Sequence, residues 1–265
     1  MIAALRCPLC HGDFRRPLTC ERGHNFDNHQ YAHLGTGRKL PSGDTGPMVE
    51  ARSAFLAAGH YAPLTRAIGV HDGLVADLGA GPGYYLAAAL SGNAQGLAFD
   101  VSKPALRRAA RLPRIGAVLT DTWRDLPLHT GSVDVLLNVF APRNGPEMHR
   151  VLRGNGLLIV VTPQPDHLGE LRDAYGLLEV DPSKEDRLAQ TLQGFVPVDE
   201  TLLRWEMDLS EADSQRLVGM GPNAFHRRVT ADVTARAMRV TASVRVSRWT
   251  GLPLPTRPAA RGSGP

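Results

Sequence analysis

From residue 74 onward, short apolar runs alternate with stretches whose apolar residues recur at helical spacing. The runs at 74–78, 96–99, 117–119, 133–139 and 157–162 are almost unbroken, as in strands buried on both faces. Between them, 84–90, 104–111 and 147–152 read as helices. This alternation predicts an α/β fold, a parallel sheet covered on both faces. Ahead of it, a helix is expected to start near Pro47, carry Met48, Val49, Phe55 and Leu56 on one face, and end by Gly59. Another begins after Pro63. Behind it, 202–209 and 240–246 alternate as half-buried strands do, flanking a loop-helix region with Met220-Gly221-Pro222.

Residues 1 to 35 break this pattern. They hold few apolar positions, too few for a core, so they need a staple. A stretch rich in Gly, Pro, Ser and Thr follows. The expected division is a small domain at 1–35, a linker at 36–50, a large domain at 51–250 and a disordered tail at 251–265. No internal repeat is evident.

The chain has 265 residues, enough for one large domain and a small one, and its 43% hydrophobic content excludes wholesale disorder. No apolar run approaches the length of a membrane span and no signal-peptide core opens the chain, so a soluble, cytoplasmic protein is expected. The net charge is +4, and Lys39, Lys103 and Lys184 are the only lysines. An arginine excess suits phosphate recognition; GC-rich coding gives the same bias.

All three cysteines lie in the first twenty residues, a distribution that argues for metal over disulfides. Cys7-Pro8-Leu9-Cys10 places two sulfurs on one side of an ion, and Cys20-x3-His24 closes the other. Gly12 and Gly23 free the backbone beside each pair. Four protein donors leave no open position, which makes the predicted zinc site structural. His11 is the alternative to His24; His29 and His33 read as surface residues.

Asp77-Leu78-Gly79-Ala80-Gly81-Pro82-Gly83 joins a predicted strand to a predicted helix. Such glycines let backbone approach a ligand, and the helix start offers free N–H groups. The dinucleotide fingerprint would need glycine where Tyr84 stands. The spacing fits S-adenosylmethionine (SAM) instead, which has a carboxylate but no pyrophosphate. Asp100, ending the next strand, is placed to accept from the ribose hydroxyls, and Asp121, after the third, to reach the adenine amine. The fourth strand ends in Asn138-Val139-Phe140-Ala141-Pro142, where a methyl group would meet its acceptor. Asn138 offers a donor and an acceptor. Phe140 is either a stacking platform for a base or a core residue.

These residues resemble the bacterial large-subunit rRNA guanine-N1 methyltransferases, a family that includes tylosin-resistance enzymes of antibiotic producers. The resemblance runs through CPLC and CERGHNFD, MVEARSAFLAAGHYAPL, VADLGAGPGYY, AFDVSKPALRRAARLP, NVFAPRN, VVTPQPDHLGEL and MGPNAFHR. MVEARSAFLAAGHYAPL and NVFAPRN look closer to the Gram-positive, resistance branch.

The resemblance implies a Rossmann-like SAM-dependent domain joined to a zinc-binding RNA-recognition domain, in a homodimer. It implies transfer of a methyl group to N1 of a guanine in a hairpin loop of 23S rRNA, with macrolide resistance as a consequence. It puts zinc ligands on Cys7, Cys10, Cys20 and His24, and SAM contacts on Tyr61, Gly81-Pro82 and His167; the loop itself adds Asp77, Gly79 and Gly83. No catalytic base is assigned: Asp166, His167, a water and a backbone carbonyl all stand. Arg6, Arg15, Arg16, Arg22, Arg38 and Lys39 are the expected phosphate contacts. Two other readings remain: a small-molecule SAM methyltransferase, and a non-catalytic zinc-containing nucleic-acid binder.

Overall fold

The computed structural model describes residues 1–36, 39–176, 190–221 and 236–252. An eight-stranded sheet organises it. In chain order, β3 (Ala32–His33), β4 (Leu74–Leu78), β5 (Gln95–Asp100), β6 (Ile115–Leu119), β7 (Val133–Val139), β8 (Leu152–Pro163), β9 (Phe195–Leu209) and β10 (Met238–Gly251) pair in the order β3-β6-β5-β4-β7-β8-β10-β9. β3 through β8 are parallel; β10 runs antiparallel to both β8 and β9. A separate hairpin, β1 (Phe14–Arg16) and β2 (Thr19–Cys20), lies in the N-terminal module.

Each central strand is apolar on both faces, so alternate residues feed two cores. Val75, Leu137 and Ile159 face one core, which is shared with helices α1 (Gly46–Ala57), α2 (Ala62–Ile68), α3 (Tyr84–Ala89), α4 (Lys103–Ala109), α6 (Gly169–Tyr175) and α7 (Glu211–Gly219). Ala76, Leu136 and Val160 face the other, which is covered by α5 (Gly145–Val151) and by Ala4, Leu5, Leu18 and Leu34. The connection from β6 to β7 has no helix; its Leu126 and Leu128 are buried, and Leu128 bridges to Leu5. The N-terminal module thus fills the layer a crossover helix would otherwise occupy, and β3 extends the sheet beside β6.

Several boundaries differ from the sequence reading, for local reasons. α5 starts at Gly145, two residues before the expected point, because the Asn144 side chain accepts the Glu147 N–H and Pro146 pre-sets the first turn. β9 and β10 outrun their alternating segments because their backbones pair from Met238↔Leu209 to Gly251↔Phe195. Gly251, assigned to the tail, therefore ends a strand; residues 253–265 lie outside the described residues. So do Arg38, Pro222 and most of MGPNAFHR. α6, which buries Leu171 and Tyr175, was not anticipated.

Candidate active site and metal centre

Tight turns build the cluster that could hold a metal ion. The Cys7 N–H donates to the Gly12 carbonyl, the His11 N–H to Cys7, and the Cys20 N–H to His24. Gly23, at φ +80, makes the reversal between Cys20 and His24. The donor atoms of Cys7, Cys10, Cys20 and His24 lie within 4.8 Å of one another, and His11 stays outside. His24 Nδ1 is 3.5 Å from Cys7 Sγ and 3.4 Å from Cys20 Sγ; Cys10 and Cys20 Sγ are 3.6 Å apart. Metal–ligand bonds of about 2.3 Å to sulfur and about 2.0 Å to nitrogen give tetrahedral edges of roughly 3.5–3.8 Å. The donor set therefore fits zinc, with no position left for a substrate.

Of the arginines expected on this module, Arg15, Arg16 and Arg22 are exposed, as is Lys39, and Arg15 pairs with Glu21. Arg6 is different: its Nε is buried, and it sits near Arg150, Glu147 and Asp125. It is half-buried against Glu147 and Arg150 of α5, so it is less open to solvent than the other arginines of the module.

The main cleft opens at the carboxyl ends of the strands, where the order reverses between β4 and β7, the place α/β sheets bind ligands. It has two lobes of about 290 and 420 Å³ that share Arg52, Gly79, Gly81, Val139 and Phe140. Tyr61, Pro82 and His167 line the first lobe; Asp100 and Asp121 line the second. Asp77, Gly83 and Asn138 line neither.

Those three shape the cleft from behind. Asn138 is fully buried and donates to the Pro142 carbonyl at 2.8 Å, pinning the turn after β7. Gly83, at φ +83, starts α3 close against Leu112 and Ala109. Asp77 is buried under the glycine loop with Oδ1 unpartnered. Burial, reinforced by the nearby charge of Asp100, pushes its carboxyl up to about 8.

A carboxyl so raised binds its proton in the folded chain at pH values where the unfolded chain has lost it. Its stabilising effect is full below about pH 4 and disappears as pH climbs towards 8. Asp77→Asn is therefore expected to flatten the loss of thermal stability of the ligand-free protein between pH 5 and 8, read by melting curves across that range. An unchanged slope would reject the assignment.

Asp100 and Asp121 are already partly engaged. Asp100 accepts the Gly81 N–H at 2.8 Å and the Ser102 N–H at 2.7 Å, which ties the glycine loop to β5. Asp121 accepts the Trp123 N–H and Arg124 Nε. Each carboxylate keeps further acceptor capacity towards the second lobe.

The ring pair in the first lobe has a defined proton arrangement. His167 Nδ1 accepts the Ser243 N–H at 3.1 Å, so the neutral ring carries its hydrogen on Nε2, 3.3 Å from Tyr61 Oη. Nε2 donates to Tyr61, which leaves the phenol hydrogen free to donate to a ligand. Burial holds His167 down at about 4, so it stays neutral at physiological pH. Asp166 is hydrogen-bonded to Ser243 and ion-paired with Arg204, both of which depress its carboxyl. His167 Nδ1 is thus occupied, and Asp166 lines neither lobe.

Phe140 is 39% exposed, lines both lobes and holds φ +53, a conformation costly for a non-glycine residue. Its ring lies 5.8 Å from that of His167. It is a cleft residue and not part of the core. The sequence reading missed Arg52 and Trp123, which is 62% exposed at the rim of the second lobe. Arg52 had left a signal: it falls on the apolar stripe of α1, between Met48 and Phe55.

A doubly wound sheet, a glycine loop at its switch point and acids closing the next two strands define a SAM-dependent methyltransferase. Residues 76–160 match the family described as methyltransferase domain. A Haloferax volcanii methyltransferase, solved with its activator, superposes with a TM-score of 0.50 at 15% identity, covering 80% of this chain and all of that one. The Streptomyces fradiae 23S rRNA (guanine(748)-N(1))-methyltransferase is 45% identical over 86% of this chain and 88% of its own. A Micromonospora griseorubida protein, provisionally named 23S rRNA (guanine-N(1)-)-methyltransferase, is 45% identical over 94% and 98%. The chain belongs to the 23S rRNA (guanine-N1)-methyltransferase family, as the sequence motifs implied. Among the described residues no helix is long and apolar enough to cross a membrane.

Proposed function

We propose that this enzyme methylates N1 of a guanine in a hairpin loop of 23S rRNA, using SAM, and that the modification gives macrolide resistance of the tylosin type. The observation that carries the reading is the 45% identity to the Streptomyces fradiae enzyme over most of both chains. In this reading the protein is cytoplasmic and homodimeric, residues 1–35 bind one zinc ion and grip RNA, and the transferase body runs from α1, which starts at Gly46, to the end of β10 at Gly251. The exposed Arg15, Arg16, Arg22 and Lys39 supply phosphate contacts.

SAM in the cleft would supply an electrophilic methyl group. Gly79, Gly81 and Pro82 bring the backbone close to it, Asp100 and Asp121 take its nucleoside end, and Tyr61, oriented by His167, donates a hydrogen bond from above. Asp77, Gly83 and Asn138 act indirectly, by fixing the loops. Phe140 gives the guanine a ring to stack on at the junction of the lobes, so that most of the rate comes from alignment and exclusion of water. With His167 Nδ1 occupied and Asp166 outside both lobes, the N1 proton passes to water.

N1 methylation blocks the Watson–Crick edge, so reverse transcriptase halts beside it. Primer extension on 23S rRNA treated with purified protein and SAM should show one new stop at a hairpin-loop guanine. A transcript read through without a stop would overturn the reading.

A further inference from the structure

Of the described residues lining the two lobes of the cleft, only Arg52 is a lysine or arginine, and it belongs to both lobes. Its Cδ lies 3.8 Å from where a Cβ on Gly81 would stand, so the side chain crosses directly over the glycine loop. The guanidinium donates to Asp44 Oδ2 through Nε at 3.1 Å and Nη2 at 2.7 Å, and to the Met220 carbonyl at 2.8 Å. Asp44 is itself fixed, because its carbonyl accepts the Ser102 hydroxyl at 2.7 Å. The cleft thus already contains an arginine bound to a carboxylate and held at one further point, the Met220 carbonyl.

We infer that Arg52 is the residue that binds the amino-acid carboxylate of the cofactor, an inference that rests on SAM being the methyl donor. The chemistry of the ligand makes the match specific. Adenine and ribose are uncharged, the sulfonium and ammonium are cationic, and the carboxylate is the one anion. Elsewhere the cleft is lined by Asp44, Asp100 and Asp121, which repel an anion. Among the described lining residues only Arg52 offers a complementary charge, and with Nε and Nη2 engaged by Asp44 and Met220 its Nη1 is the nitrogen left to meet a carboxylate. Its bond to Met220 keeps the side chain laid across the loop, so little order is lost on binding.

The test separates the two ends of the cofactor. Calorimetry would compare S-adenosylhomocysteine with 5′-methylthioadenosine, which keeps the nucleoside and the sulfur but lacks the amino-acid end. Arg52→Gln is expected to weaken S-adenosylhomocysteine by about 30-fold or more, as loss of a charge-assisted pair does. It should leave methylthioadenosine within about twofold, and Arg52→Lys should recover part of the loss. Unchanged S-adenosylhomocysteine affinity, or equal loss of both ligands in both variants, would overturn the inference. Failure of the unaltered protein to bind S-adenosylhomocysteine at all would instead overturn the SAM reading.

Discussion

Cys20→Ser is expected to empty the metal site and to lower the melting temperature of the whole protein by about 10 °C or more. The size of this effect follows from where the module sits. Zinc binding is folding energy for a segment with no core of its own. Here the segment also roofs the sheet: Leu5, Leu18 and Leu34 are buried in the same cluster as Leu97, Phe99 and Val118. Each leucine uncovered costs about 1.5–3 kcal/mol, an upper bound because unfolded chains bury some surface. In a chain of this size each kcal/mol lowers the melting point by roughly 2–4 °C. Loss of the metal should therefore strip one face of the sheet as well as the knuckle. Metal content by plasma emission and melting by calorimetry check the two halves together. A metal-free variant that melts where the parent does would show a module independent of the transferase.

The same packing shows what could be read from sequence and what could not. The strands at 74–78 and 133–139 were legible to the residue, because each is a mostly apolar run with turn residues on either side, Gly73 and Gly79 for the first, Gly131 and Pro142 for the second. The cluster Cys7, Cys10, Cys20 and His24 was legible because metal ligands leave a fixed spacing. The docking of the module was not. Its buried residues, Leu5, Leu18 and Leu34, are too far apart in sequence to make a period, and their partners lie in strands that fold elsewhere in the chain.

Within the cleft, Asp100 announced itself by ending β5 and Asp121 by following β6 two residues after Leu119. Asn138 had the same signature yet faces inward, where its amide holds the Pro142 carbonyl. Strand position alone does not tell a wall from its support. His167 could not be dismissed as a base from sequence either. Its neutrality comes from burial, and its Nδ1 is occupied by the Ser243 N–H, which β10 brings in from 76 residues away.

Gly79→Ala should be among the most damaging single substitutions for activity. Gly79 holds φ +80, where an L-residue pays roughly 1–2 kcal/mol. The added Cβ would stand 2.6 Å from the Cβ of Ala141, closer than two carbons can approach. The loop cannot simply retreat, since the N–H groups of Gly79 and Ala80 both donate to the Phe99 carbonyl. The strain must pass to the turn after β7, which carries Phe140 and is pinned by Asn138. A shift of about 1 Å in a positioning element can lower a rate about 100-fold. We expect kcat/KM for rRNA methylation to fall by about that factor or more, with a melting point only a few degrees lower. The steric half of this cost has its own control. Ala141→Gly removes the opposing Cβ, so the double variant should recover much of the activity while keeping the backbone penalty. No recovery in the double variant, with the fold intact by circular dichroism, would place the damage in the glycine loop itself and not in the turn it presses upon.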